Sequence, residues 1–142
     1  MATTVDIKDF TRRKAPGLSF TQMAHAVLPG WEISLVFVGA TRAKELNQRL
    51  RKKDYVPNVL SYVSGTKSGE IIICLAVARE QAPQHELSYT DFVAFLFIHG
   101  LYHLKGLPHG ATMERLERKT LARFTRITLT APSHGSAHRN RH

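Results

Sequence analysis

The chain is poor in cysteine, in aromatic residues and in acidic charge: one Cys, 8% Phe, Trp and Tyr, and 11 Asp and Glu against 20 Lys and Arg. A single cysteine excludes an intramolecular disulfide. Cys74 lies in an apolar run and reads as a buried thiol. The aromatics are mostly embedded in apolar runs, so no base-stacking platform of the single-strand-binding type is evident. No apolar run approaches the ~18 residues that a membrane span requires. Met1–Asp6 lacks the basic-then-apolar layout of a secretory signal, and a cytoplasmic address is expected.

What is present is a foldable chain with a strong positive bias. At 142 residues and 43% hydrophobic content, the length fits one domain with a sizeable core. We place that domain at residues 1–130. From Ala131 to His142 the composition turns to Pro, Ser, Gly, His and Arg, the signature of a basic, disordered tail. The net charge of +9 is clustered at Arg12-Arg13-Lys14, at Arg49-Leu50-Arg51-Lys52-Lys53, and at Arg115, Arg118, Lys119, Arg123 and Arg126. A polyanion is the natural partner of such clusters, and nucleic acid is the commonest one.

The hydrophobic pattern predicts alternating elements. Val5–Phe10 reads as a short strand, Leu18–Leu28 as a helix ended by Pro29-Gly30, and Trp31–Val38 as a strand. Thr41 is expected to cap a helix with Ala43, Leu46 and Leu50 inward. Asn58–Val63 is a short strand, and Ser64–Gly69 a hairpin-type loop. Glu70–Val77 reads as a continuous apolar strand near the centre of a sheet covered on both faces. Ser88 or Thr90 starts a further helix, and Met113–Phe124 forms a closing one with Leu116, Thr120 and Phe124 inward. His25 and His85 have no partner that the sequence identifies and read as surface or capping residues.

The most apolar run, Phe92–Ile98, is hydrophobic on every side and should form a buried helix. It leads into His99-Gly100-Leu101-Tyr102-His103-Leu104-Lys105-Gly106-Leu107-Pro108-His109. His99 and His103 are four apart and share one helix face. Gly106 can take the left-handed conformation that ends a helix, and Pro108 discourages its continuation. The chain can then turn back and bring His109 beside them. A lone histidine on an apolar face is more often a hydrogen-bonded core residue. Three at this spacing point instead to a divalent-metal site with an open coordination position, read here as one Zn2+ per chain. His134, His138 and His142 also sit four apart, but a tail without a scaffold makes a poor site.

Metzincin peptidases share the H-x3-H-x5-H spacing but carry Glu directly after the first histidine as general base. Here that position is Gly100. The form H-G-x-x-H-L-x-G-x-x-H instead closely resembles the YbeY family of bacterial metal-dependent endoribonucleases and ribosomal-RNA maturation factors. Leu107-Pro108 stands where that family has Tyr-Asp, so an acidic group that would orient a ligand is missing there. A second stretch strengthens the resemblance. Leu46-Asn47-Gln48-Arg49-Leu50-Arg51-Lys52-Lys53-Asp54, followed by Asn58-Val59-Leu60-Ser61-Tyr62, is similar to the family's L-N-x-x-x-R-x-x-D and T-N/D-V-L-S-F. Pro57 replaces the threonine and Tyr62 the phenylalanine, and Gly69-Glu70-Ile71 echoes its G-D-I.

The resemblance runs from Leu46 to Phe124. It implies an α+β fold: one compact domain whose small mixed sheet is packed by helices around a central histidine-bearing helix. It also implies a single-strand-type endoribonuclease acting in small-subunit (16S) ribosomal-RNA 3′-end maturation and quality control. The family's functional arginine maps to Arg51, where a guanidinium beside a metal could hold a phosphate bidentately. Arg49, Lys52 and Lys53 are candidate RNA contacts. The small ribosomal subunit, one of its proteins and an assembly GTPase are the partners implied. No carboxylate beside the motif is an obvious general base, which leaves either metal-bound hydroxide or the RNA 2′-hydroxyl as the attacking group. Two further readings rank below this one: an assembly factor that binds RNA through a structural zinc, and a metzincin-like peptidase.

Overall fold

The structure, a computed structural model, describes residues 2–125. Nine elements follow in chain order: β1 (Thr4–Asp9), α1 (Phe20–Val27), β2 (Glu32–Val38), α2 (Ala40–Arg51), β3 (Val59–Gly65), β4 (Ser68–Cys74), α3 (Leu75–Gln81), α4 (Tyr89–Lys105) and α5 (Ala111–Phe124). A 3-10 turn at Ala82–His85 links α3 to α4. The strands form one mixed sheet in the order β1-β2-β4-β3. β1, β2 and β4 run parallel, while β3 is antiparallel to β4. The single α+β domain expected from the sequence is therefore the fold observed.

Strand alternation divides the apolar side chains between two faces. Ile33, Leu35, Phe37, Ile71 and Ile73 face the larger core, shared with α1, α4 and α5. Val38, Leu60, Ile72 and Cys74 face the smaller one, closed by Ala43 of α2 and Val77 of α3. α4 is buried almost throughout, with Phe92, Leu96, Phe97, Ile98 and Leu101 each at 1% exposure or less. Each such side chain contributes about 1.5–3 kcal/mol of burial. That outweighs helix propensities of about 0.7 kcal/mol or less per ordinary residue, so packing decides where this helix lies. Its ends are capped as the sequence suggests: Ser88 Oγ accepts from Asp91 N at 3.1 Å, and Gly106 is left-handed at φ 98°.

Four local expectations fail. Glu70–Val77 is not one strand; β4 ends at Cys74 and α3 begins at Leu75. The apolar run continues unbroken across the junction, so periodicity cannot mark the change, although Ala76, Ala78, Arg79, Glu80 and Gln81 are mostly good helix formers. α2 starts at Ala40 with extended Gly39 as its cap, because β2 enters the helix directly and leaves Thr41 inside the first turn. Leu50 does not face inward: the buried stripe of α2 runs through Ala43 to Asn47, and Leu50 is 49% exposed. His85 is not a surface residue but half-buried, its ring stacked on Phe92 with centroids 4.7 Å apart, whereas His25 is exposed as expected, with Thr3 Oγ1 3.1 Å from its Nδ1. The tail 131–142, with its three histidines, and Arg126 lie outside the described residues.

α4 approaches β4 closely at two glycines. A Cβ on Gly100 would meet Ile71 at 3.1 Å, and one on Gly69 would meet Leu104 Cδ1 at 2.8 Å. Gly100→Val is therefore expected to destabilise the fold by about 1–3 kcal/mol through overpacking, measured by urea denaturation. Gly17→Ala, whose added methyl meets nothing within 4 Å, should stay within about 0.5 kcal/mol of the parent.

Candidate functional site

The helical repeat brings His99 and His103 to one face of α4, and the cap at Gly106 ends the helix three residues later. The Gly106 N–H donates to the His103 carbonyl at 3.0 Å, and the Leu107 N–H to that of Tyr102 at 3.3 Å. This reversal carries His109 back over the helix end. Its ring centre lies 5.3 Å from that of His99 and 5.8 Å from that of His103. All three line one pocket of about 330 Å³, together with Arg51, Gln81 and the segment Tyr55–Ser61.

Two of the imidazoles are held from behind. His99 Nδ1 donates to Glu117 Oε2 at 2.5 Å, and Glu117, on α5, is only 4% exposed. A carboxylate only accepts, so Nδ1 of His99 carries a proton, which leaves Nε2 as the ring nitrogen not engaged by Glu117. On β3, Leu60 is buried in the smaller core and the next residue lies on the opposite face, where Ser61 Oγ is 3.1 Å from His103 Nδ1. Burial lowers the His103 pKa, and the neighbouring His99, His109 and Arg51 lower it further. All of these favour the neutral ring, the form that binds a metal.

Glu117 corrects the expectation that Leu107-Pro108 leaves the site without an acidic orienting group. The carboxylate comes from the following helix, eight residues beyond His109. The signal was present as a lone acid on the apolar stripe of the closing helix, between Met113 and Leu121, both buried. A buried carboxylate needs a partner, and α5 has its only apolar-side acid there, opposite the histidine helix.

Arg51 reaches the pocket from the last turn of α2. Its Nη1 donates to Asn47 Oδ1 at 3.3 Å, and Asn47 Nδ2 donates to the Tyr55 carbonyl at 3.0 Å. Asn47 is fully buried, so one amide ties the arginine to the turn that follows the helix. The other candidate cations lie apart from the histidines. Arg49 borders a separate groove with Lys44 and Gln48. Lys52 is the left-handed cap of α2, and Lys53 is exposed beyond it. Asn58 and Gln81, which the sequence did not single out, form part of the pocket wall, their side chains joined at 2.9 Å.

Among the described residues no group of three or more His, Cys, Asp or Glu side chains is placed so that it could hold a metal ion as it stands. The donor set nevertheless fits a divalent ion. Two imidazoles sharing one tetrahedral ion at about 2.0–2.1 Å have ring centres about 5 Å apart. The observed 5.3 and 5.8 Å are slightly wider, a difference that small ring rotations would close. Nε2 is the ring nitrogen of His99 and His103 not engaged by Glu117 or Ser61, and among the described residues the lining contains no fourth ligand-type carboxylate or thiolate. Gly100 packs on Ile71 rather than lining the pocket, so neither the residue nor the space for a metzincin's glutamate is there.

Residues 3–126 match the family model described as Endoribonuclease YbeY. The chain is 35% identical over 110 residues to Endoribonuclease YbeY of Bordetella pertussis, an alignment covering 70% of each protein. It is 37% identical over 106 residues to that of Aromatoleum aromaticum, covering 72% of this chain and 68% of the relative. The solution structure of TM1509 from Thermotoga maritima aligns with a TM-score of 0.61 at 19% identity, over 83% of this chain and 87% of that one, a likeness of fold. With the two histidine- and arginine-bearing segments joined in one pocket and the match running through every described element, the chain belongs to the YbeY endoribonuclease family.

Proposed function

We propose that the protein is a zinc-dependent endoribonuclease of ribosomal-RNA maturation, acting on the small-subunit RNA near its 3′ end. The observation that carries this reading is the convergence of Arg51 with His99, His103 and His109 in one open pocket. The family, the relatives' description as endoribonucleases and the excess of positive charge support it. His99, His103 and His109 hold one Zn2+ through imidazole nitrogens. When bound there, such an ion supplies Lewis acidity toward a phosphodiester oxygen and a water acidified to near neutrality.

The chain's own residues do the rest. Arg51 holds the scissile phosphate and offsets the charge that develops on it. Asn47 fixes the guanidinium, Glu117 fixes the tautomer of His99, and Ser61 positions His103. Glu117 is not a general base, because it lies behind His99 and outside the pocket lining. The lining contains no carboxylate, so the attacking oxygen is activated without one. Arg49, Lys52 and Lys53 extend the positive surface along the RNA backbone, where each phosphate contact adds affinity that weakens with salt. The small ribosomal subunit presents the RNA, with one of its proteins and an assembly GTPase as partners in the cytoplasm. No helix among the described residues is long and apolar enough to cross a membrane.

An assembly factor with a structural zinc is the second reading. It requires a fourth protein ligand to close the site, and among the described residues the pocket lining offers no further histidine, carboxylate or thiolate. Incubation with immature small subunits and mapping of the RNA ends separates the two. His103→Ala should abolish the new ends while RNA affinity stays within about two-fold, and equal cleavage by the variant would refute the nuclease. Arg51→Ala should lower kcat by about a hundred-fold. The end chemistry reveals the attacking group, since a 2′,3′-cyclic phosphate marks the 2′-hydroxyl and a 5′-phosphate beside a 3′-hydroxyl marks water. Glu117→Gln should weaken zinc binding by about ten- to a hundred-fold, read by chelator competition without any RNA present.

A further inference from the structure

Among the described residues Tyr55 is the only Phe, Trp or Tyr in the lining of the histidine pocket, and 49% of its surface is exposed. The hydrogen bond it makes with Asn47 uses its carbonyl and leaves the ring uncommitted. A large exposed aromatic at the rim of a polar pocket adds nothing to a core. Its backbone is nevertheless held by a fully buried side chain, the same one that holds Arg51. The turn is braced from outside as well, where Lys44 Nζ lies 3.7 Å from Asp54 Oδ1. One amide thus ties the phosphate-binding cation to the backbone that carries the aromatic ring.

We propose that Tyr55 is the base-stacking wall of the site: an unpaired base of the RNA lies on its ring while the adjoining phosphate is held by Arg51. The assignment rests on the ribonuclease reading above and adds to it the nucleotide feature that the pocket recognises. Every base has a π-face, so the contact tolerates sequence but requires a base free of its own stack. A base within a duplex is not available, because its faces are covered by its neighbours. The subsite therefore selects unpaired RNA at the cut. A single tyrosine beside the arginine takes the part that several aromatics play in a stacking platform.

The test compares full-length parent, Tyr55→Ala and Tyr55→Phe on single-stranded oligoribonucleotides, each carrying one abasic residue at a successive position. Tyr55→Ala should raise KM by about ten-fold with kcat within about two-fold, and Tyr55→Phe should match the parent. An abasic residue beside the cut should cost the parent the same factor and cost Tyr55→Ala nothing more, since the two changes remove one contact. Fluorescence anisotropy in chelator gives the same comparison as binding alone. Tyr55→Ala cleaving and binding like the parent, or losses that multiply with the abasic residue, would overturn the stacking role and leave the nuclease standing. Failure of the parent itself to bind or cleave any of the RNAs would overturn both.

Discussion

The close approach of α4 to β4 is the constraint on which the site depends. Gly100 on the helix fits against Ile71, and Gly69 on the strand fits against Leu104. This contact seats a helix that is apolar on nearly every side over the centre of the sheet. With that surface buried, the helix cannot rotate without exposing Phe92, Phe97 or Leu101 to water. The directions of His99 and His103 then follow from the helical repeat alone. Gly100 thus has two consequences: it permits the packing, and it removes the glutamate that peptidases with the same spacing place there.

Two buried polar anchors convert this scaffold into a site. Glu117 reaches His99 from α5, and Asn47 reaches both Arg51 and the Tyr55 carbonyl from α2. Both lie at 4% exposure or less, where an unpaired amide or carboxylate would cost several kcal/mol. That cost makes the contacts specific, because no other nearby arrangement satisfies the same atoms. Tyr102 and Thr120, joined through their hydroxyls at 2.7 Å, tie α4 to α5 near Glu117 and keep the two helices in step. The metal-ligand face and the phosphate-binding face are therefore held by different helices, and they meet across β3.

Positive charge is spread over the chain, but only part of it enters the pocket. Arg51 does so because Asn47 holds it; Arg49, two residues earlier, borders another groove. The distinction separates a contact aimed at one phosphate from a surface that attracts a polyanion. Sequence clustering cannot make that distinction, since the four cations between Arg49 and Lys53 look alike in composition.

The sequence by itself determined the elements whose signals are local. The buried helix, its Ser88 and Gly106 caps, the histidine spacing and most strands follow from periodicity and turn chemistry within a few residues. The junction at Cys74-Leu75 did not, because an apolar run carries no mark where a strand becomes a helix. Leu50 is exposed where an inward place was expected and Asn47 is buried, since only the fold shows that a polar side chain on the inner stripe has partners there. The pairing of Glu117 with His99 spans 18 residues, and that of Ser61 with His103 spans 42. Such contacts depend on how helices and strands are placed against one another, which no local pattern encodes. The three histidines were legible because one helix and its cap carry them; what orients those residues, and what faces them, only the tertiary structure decided.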